Sequence, residues 1–206
     1  MKKIFLNYEQ QLIKLQDEKK LNIPDWDYAY EMLKRYSYYS LISGYKKQFK
    51  NPDTATYRKD VCFNDIVALY EFDESLRSLF LKYLQKIERE MKSYISFYFC
   101  EKYGERQEEY LKSSNYNYSN KNRQDIDKLI KILKRYTDGN TDYHYINHAS
   151  TKYGNVPLWV LINALTFGNI SKFYMLSRYD LQAKVSINFE GINESQLSKI
   201  LTVLTG

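Results

Sequence analysis

Two oppositely charged residues, Asp73 and Arg77, lie in the middle of a long apolar segment, between Leu69 and Phe80. Side chains four residues apart are neighbours on an α-helix, so a helix here would let the carboxylate bind the guanidinium. Because one unpaired buried charge is costly, the sequence predicts a buried ion pair that fixes the helix register. The alternative is that Arg77 faces a cleft between helices, where it would bind a phosphate or take part in catalysis.

The only two histidines, His144 and His148, lie in the segment YHYINHAS. Histidine is suited to general acid–base chemistry, which makes His148 a candidate cleft residue. A spacing of four residues would let both histidines bind one metal ion, but there is no HExxH motif and no evident third ligand. The segment is expected to connect two helices, where a structural role is the alternative. The sequence therefore assigns no catalytic residue, no metal and no cofactor.

Cations and tyrosines are concentrated in one segment and along one helix face. The segment contains Tyr36, Tyr38, Tyr39, Tyr45, Lys46, Lys47, Lys50, Arg58 and Lys59, and the helix face contains Lys128, Lys131, Lys134 and Arg135. Lysines neutralise phosphates, and aromatic rings stack on unpaired bases. This combination predicts RNA binding, with candidate contacts at Tyr45, Lys46, Lys47, Lys128, Lys131 and Arg135. The alternatives are an ordinary solvated surface and, for the tyrosines, a genome rich in A and T.

Composition limits the remaining classes of protein. The 206 residues carry a net charge of +6 with a pI near 9.0, which favours an acidic partner such as nucleic acid or a membrane surface. Cys62 and Cys100 have neither disulfide-scaffold nor zinc-site spacing, and the amino terminus has no signal-peptide core, so we expect a cytoplasmic protein. The sequence contains no GxxxxGK[ST], GxGxxG or GxSxG motif.

Helical periodicity and few glycines or prolines predict an all-α fold. The strongest pattern runs from residue 64 to 102, with Asn64 as N-cap, and predicts one very long helix or two collinear ones. Its apolar stripe is expected to be buried throughout. Further helices are predicted for residues 8–20, 24–36 and 123–136, the last of them ended by Asp138, Gly139 and Asn140. Residues 38–56 are expected to form a loop that contains at most one turn of helix.

The most apolar segment, residues 157–176, has the length of a membrane span but contains several polar residues. We interpret it as a core helix broken at Gly168 and Asn169, and we expect no membrane association. Asn193 is expected to cap a last helix that runs to Leu204. The chain is predicted to be a single domain, 1–206, with an N-terminal helical part (1–60) and a core bundle (61–206).

Four segments in this order resemble the bacterial Abi family of abortive-infection phage-resistance proteins. They are YEQQLIKLQDEKKLNI, LKRYSYYSLISGYKKQF, FNDIVALYEFDESLRSLFLKYLQKIEREMKSYISFYFCEKYG and HASTKYGNVPLWVLINALTFGNISKFY. The resemblance spans residues 8–204. Asp73 and Arg77 match the family's FDxxLR element, and His148 matches a family position to which no catalytic role transfers.

The resemblance implies a HEPN-like helical bundle, an RNA-binding toxin that acts in phage defence, and assembly as a dimer. It also implies RNA as a partner, including a small noncoding RNA that restrains the toxin. HEPN ribonucleases cut RNA without metal, through an R-N-x-x-x-H motif in the last conserved helix.

That motif is absent from residues 1–206, so the chain is expected to be inactive and its final family helix missing. The chain is therefore expected to continue past Gly206, or a partner to cover the apolar faces of residues 157–176 or 197–204. The alternative function is a non-catalytic regulatory module that binds RNA or protein.

Overall fold

The computed structural model describes residues 4–137 and 141–205, which form helices with no strand among them. The α-helices are α1 (Tyr8–Ile13), α2 (Trp26–Tyr36), α3 (Gly44–Phe49), α4 (Phe63–Tyr103), α5 (Gln107–Leu111), α6 (Arg123–Thr137), α7 (His144–Tyr153), α8 (Leu158–Leu161), α9 (Phe167–Leu176), α10 (Tyr179–Ser186) and α11 (Glu194–Thr205). The predicted all-α fold is confirmed, and the predicted long helix is one continuous helix. Short π-helical turns (Lys14–Glu18, Tyr39–Ser43) and 3-10 turns (Ser113–Asn115, Ile162–Ala164) extend or join these helices.

The chain divides into two compact units, Met1–Leu81 and Lys82–Gly206. The boundary lies inside α4, whereas the sequence suggested a division between residues 60 and 61. The difference has a physical cause: Phe63, Ile66 and Val67 in the first turns of α4 belong to the same buried cluster as the N-terminal helices. We describe the two units separately.

The core of the first unit is formed by apolar faces of α1, α2 and the start of α4, with Leu12, Leu33 and Phe63 fully buried. Asn7 begins α1 with a capping box, and the Asp25 side chain accepts a hydrogen bond from the Tyr28 N–H at the start of α2. The loop predicted for residues 38–56 was partly wrong. Leu41 and Ile42 in this segment are buried, and it forms the second π-helical turn and α3.

Two details of α4 differ from the sequence prediction. The helix begins at Phe63, so Asn64 lies in its first turn and is not the N-cap. The Asp65 side chain instead provides a hydrogen-bond acceptor for the backbone before the helix: its Oδ2 accepts a hydrogen bond from the Cys62 N–H at 2.8 Å. The predicted apolar stripe is not buried throughout, because two of its members, Leu76 and Phe80, are exposed.

The core of the second unit is formed by the last turns of α4 together with α6, α8, α9 and α11. The predicted break in the apolar segment is confirmed, but it lies earlier than predicted. Thr166 is the N-cap from which α9 begins, so the break comes before Gly168 and not at it. The Thr166 side chain caps α9 by accepting a hydrogen bond from the Asn169 N–H at 3.3 Å. Asn193 caps α11 as predicted, with Gln196 completing a reciprocal pair of hydrogen bonds.

Several other expectations were wrong or fall outside the description. The segment of the two histidines is the helix α7, and α5 and α10 were not predicted. The expected end of α6 at Asp138, Gly139 and Asn140 lies outside the described residues. The large apolar residues of α8 and α9 are mostly buried, whereas Ile200 and Val203 of α11 are exposed. Of the two faces expected to be partly open, it is therefore the one at residues 197–204 that is exposed.

Candidate functional site

Three side chains that the sequence singled out meet in the first unit. Tyr45 projects from α3, and Asp73 and Arg77 lie one turn apart on α4. The Tyr45 hydroxyl donates a hydrogen bond to Asp73 Oδ2 at 2.6 Å, and Arg77 Nη1 donates to the same oxygen at 2.5 Å. The predicted ion pair is therefore present, and a tyrosine that the sequence assigned to a different group completes it.

The prediction that this ion pair is buried is wrong. The side chains of Asp73 and Arg77 are 39% and 58% exposed. The reason lies in the surrounding helix surface, where Phe72 and Phe80 are also exposed, so no core surrounds the charges. Asp73 and Arg77 line neither of the two clefts described below. An exposed pair contributes at most about 1 kcal/mol.

Tyrosines around this ion pair pack on one another. The ring centroids of Tyr36 and Tyr70 are 4.6 Å apart, and those of Tyr45 and Tyr70 are 5.6 Å apart in an edge-to-face arrangement. The hydrogen bond to Asp73, together with partial burial, raises the pKa of the Tyr45 hydroxyl. Tyr45 is thus a neutral donor at physiological pH, and its ring is already engaged. By contrast, Tyr39 is 79% exposed and has no ring partner in the described part of the chain.

Three lysines of the first unit, Lys19, Lys46 and Lys50, lie near one another. Lys46 and Lys50 were identified from the sequence, but Lys19 was not. Burial lowers the pKa of Lys50, and the nearby charges of Lys19 and Lys46 lower it further. None of these three lysines forms an ion pair within the described residues. Lys19 was missed because it lies in the turn after α1, far from the others in sequence. We call Lys19, Lys46 and Lys50 the lysine cluster.

The remaining residues of the first basic segment differ from this cluster. Lys47 is exposed on α3, and Lys59 is exposed in the segment before α4. Arg58 is engaged: its Nη1 donates to the Gln48 carbonyl oxygen at 2.8 Å, and its Nε lies 3.6 Å from Asp60 Oδ1.

The second basic surface is the outer face of α6. Lys128, Lys131 and Arg135 are all exposed there, as the helical period predicts. Lys128 Nζ lies 3.2 Å from Asp125 Oδ1, and the first turn of the helix also carries the ion pair between Arg123 and Asp127. Carboxylates therefore neutralise part of the positive charge at the start of α6, whereas Lys131 and Arg135 form no ion pair within the described residues.

His148 lies on α7 and is exposed, with its ring centroid 6.2 Å from that of Tyr153. It lines neither of the clefts described next. Among residues 4–137 and 141–205, no group of three or more acidic, histidine or cysteine residues is placed to hold a metal ion. The arrangement around His148 thus offers no partner that would orient it as a base.

Two open clefts in the second unit were not foreseen. One, of about 460 Å³, has a rim of Tyr118 and Tyr179 with Lys102, Asn117, Arg178 and Asp180. The other, of about 790 Å³, lies beside the exposed rings of Phe97 and Trp159 and contains Cys100, Glu101 and Glu105. The residues of the smaller cleft come from segments far apart in sequence, so no sequence signal brings them together. Those of the larger cleft, apart from Trp159, lie between Ser93 and Glu105 at helical spacing, so the helical period could have indicated that they share a face.

These features define a class: an all-α protein with one long helix, a lysine cluster and tyrosine-rich surfaces. A family model described as Abi-like protein matches residues 31–206, and the chain belongs to this family. Membership suggests a role in abortive infection, which is a form of phage defence. Neither a curated protein nor a solved structure matches the chain significantly. Within the described residues, no helix has both the length and the apolar character needed to cross a membrane.

Proposed function

We propose that this Abi-like protein acts in phage defence by binding RNA, and that the lysine cluster holds the RNA backbone. The observation that carries the proposal is that Tyr57 joins Lys19 and Lys50: its N–H donates to the Lys19 carbonyl oxygen at 2.8 Å, and it forms a β-bridge with Lys50. Lys46 lies close enough for its charge to lower the pKa of Lys50, and none of the three lysines has an ion pair within the described residues. Repulsion between like charges is relieved when a polyanion binds, and the release of its counterions drives association. A phosphate backbone provides such a polyanion.

The comparison of the two basic surfaces favours the lysine cluster over α6. On α6, acidic side chains within one turn already neutralise part of the positive charge. The exposed ring of Tyr39 in the first unit is free to stack on a base, whereas the hydroxyl of Tyr45 is held by Asp73. We therefore expect Lys19, Lys46 and Lys50 to contribute more to RNA affinity than Lys128, Lys131 and Arg135.

A charge-reversal experiment tests this proposal. Binding of a 20-nucleotide single-stranded RNA is measured by fluorescence anisotropy at several salt concentrations. Replacing Lys19, Lys46 and Lys50 with Glu should weaken binding at least tenfold and lower the salt-dependence slope by about 2, since each phosphate contact with a single strand contributes about 0.7. The same lysines replaced with Gln lose their positive charge without gaining a negative one, so these variants separate the loss of attraction from repulsion between the new carboxylates and the phosphates.

The matched control reverses Lys128, Lys131 and Arg135, which changes the same number of cations on the exposed face of α6. We expect affinity to fall less than threefold. If the control abolished binding and the lysine-cluster variant did not, the contact surface would be α6. If the unaltered protein bound no RNA even at low salt, the proposed function would be wrong.

RNA cleavage forms a second part of the proposal, based on the resemblance to HEPN ribonucleases. Residues 1–206 contain no R-N-x-x-x-H motif, so we expect the chain alone to leave total RNA intact in EDTA. A form that carries the motif is expected to cleave RNA under the same conditions, because this chemistry needs no metal. Cleavage by residues 1–206 that disappears on changing His148→Ala would contradict the expected role of the motif.

Protein binding is a second candidate function, and the exposed apolar face of α4 favours it. Phe72, Leu76, Leu79 and Phe80 recur at helical spacing and are all exposed. Monomeric proteins rarely leave such a continuous apolar surface open to water. A second copy of the chain would be one partner, as the resemblance to dimeric HEPN proteins implies. Light scattering should then give a dimer mass that falls to the monomer mass in Phe72→Ser, Phe80→Ser.

A further inference from the structure

The smaller cleft of the second unit combines groups that recognise a nucleotide. Tyr118 and Tyr179 stand at its rim, Arg178 lies beside them, and Asn117 faces the same space. We propose that this cleft binds one nucleotide, with its base against a tyrosine ring and its phosphate on Arg178. The nucleotide is either part of an RNA strand or a free ribonucleotide. Binding of an RNA strand rests on the proposed function, whereas binding of a free ribonucleotide does not.

The backbone of the cleft is fixed by contacts between its two sides. The Asn117 N–H donates to the Leu176 carbonyl oxygen at 2.9 Å, and Tyr116 forms a β-bridge with Ser177. Tyr116 is buried beneath the cleft, where its hydroxyl donates to the Tyr110 carbonyl oxygen at 2.7 Å. The side chains at the rim are thus mounted on a rigid base, so little ordering is needed when a ligand binds.

The side chains at the rim, in contrast, are free. Tyr118 and Tyr179 are 47% and 70% exposed, and neither packs on another ring within the described residues. In the same part of the chain, the Arg178 guanidinium has no ion pair, and the Asn117 side-chain amide has no hydrogen-bond partner. Two open π faces, a guanidinium and an unpaired amide are the groups that stack on a base, bind a phosphate and read a base edge.

Charge within the cleft also favours an anionic ligand. Lys102 pairs with Asp180, and this contact lowers the pKa of the Asp180 carboxyl. The pair is neutral overall, so Arg178 supplies a net positive charge to the site. The volume, about 460 Å³, lies in the range of small-ligand sites, whereas a longer peptide would need a larger groove. A negatively charged, flat ligand of nucleotide size fits these features.

Titration with two probes tests the proposal and separates its two sources. AMP and an eight-nucleotide poly(A) RNA are titrated against the protein by isothermal calorimetry, with Arg178→Gln, Tyr179→Ala and Tyr179→Phe. The first two variants should weaken binding about 5- to 100-fold, because Arg178→Gln removes the charged contact with the phosphate and Tyr179→Ala removes the stacking contact, and Tyr179→Phe should retain it. Tyr153→Ala removes a similarly exposed tyrosine of the same unit outside the cleft and should have no effect.

Each outcome has one meaning. Variant-sensitive binding of AMP supports a free nucleotide, and variant-sensitive binding of the octamer with weak AMP binding supports an RNA strand. If Arg178→Gln and Tyr179→Ala changed neither titration, or if neither probe bound, the cleft assignment would be overturned. Its failure is distinct from that of the proposed function, because binding of the 20-nucleotide RNA that depends on Lys19, Lys46 and Lys50 would persist.

Discussion

Two stretches of α4 have the same spacing of large apolar side chains but opposite environments. In the stretch 72–80, Phe72 and Phe80 are 63% and 60% exposed. In the stretch 91–99, Met91, Ile95 and Phe99 are fully buried against other helices. A helical period therefore predicts which side chains share a face, but it does not predict that another element covers that face. Coverage depends on contacts between segments distant in sequence.

The contrast bears directly on function. The covered stretch stabilises the second unit, whereas the open stretch carries Asp73 and Arg77, which match the FDxxLR element. Both stretches lie in the long segment that resembles the family, but they are under different constraints. Substitutions in the two stretches should accordingly have very different costs.

The largest difference is expected when a charge is introduced into each stretch. Ile95→Lys places an unpaired ammonium in a fully buried site and should unfold the second unit, at a cost of at least about 3 kcal/mol. Leu79→Lys, its matched control on the 52% exposed side, should change the free energy of unfolding by less than about 0.5 kcal/mol. Urea denaturation followed by circular dichroism measures both. An equal loss from both substitutions would show that the middle of α4 is covered.

Truncating one phenylalanine in each stretch should give a somewhat smaller difference in the free energy of unfolding. Phe99 packs on Phe173, with ring centroids 5.5 Å apart, so Phe99→Ala should cost about 3–5 kcal/mol. Phe80→Ala should be nearly neutral, because the ring is exposed and alanine favours the helix.

The two tryptophans allow these losses to be assigned to a unit. Trp26 lies in the first unit and Trp159 in the second, so single-tryptophan variants report on each separately. Phe99→Ala should shift the Trp159 transition to lower urea and leave the Trp26 transition in place. A shift in the Trp26 transition alone would be inconsistent with the position of Phe99 in the core of the second unit.

The sequence predicted the parts that depend on neighbours along the chain. The all-α fold, the length of α4, the Asn193 cap and the contact between Asp73 and Arg77 all follow from local spacing. The π-helical turn with α3, the helix α7 and the break at Thr166 were missed or misplaced, because buried contacts there override local propensity. The lysine cluster and the smaller cleft join segments far apart in sequence, and no periodic pattern reports such contacts.

Thiol reactivity sharpens the comparison without changing stability. Cys100 follows the buried stretch of α4, and burial raises its pKa to about 11. At neutral or mildly alkaline pH, a thiol with an ordinary pKa near 9 has about 100-fold more thiolate than a thiol with a pKa of about 11. Cys100 should therefore be alkylated about 100-fold more slowly in the folded protein than in the protein unfolded by urea. Alkylation with iodoacetamide, followed by mass spectrometry, should show the rate rising with pH up to about 11. Fast reaction at pH 8 in the folded protein would contradict the burial of this side chain.

The smallest effect concerns the ion pair in the open stretch. Asp73→Asn removes the carboxylate charge that binds Arg77 but keeps an oxygen that can accept the hydrogen bond from Tyr45. Because the pair is exposed, a double-mutant cycle with Arg77→Gln should give a coupling energy of about 0.2–1 kcal/mol, reduced by high salt. The cycle is followed through the Trp26 transition of the first unit. A coupling of about 3 kcal/mol that salt leaves unchanged would mean that the pair is buried, as the sequence alone had suggested, and that a partner or another segment covers the middle of α4.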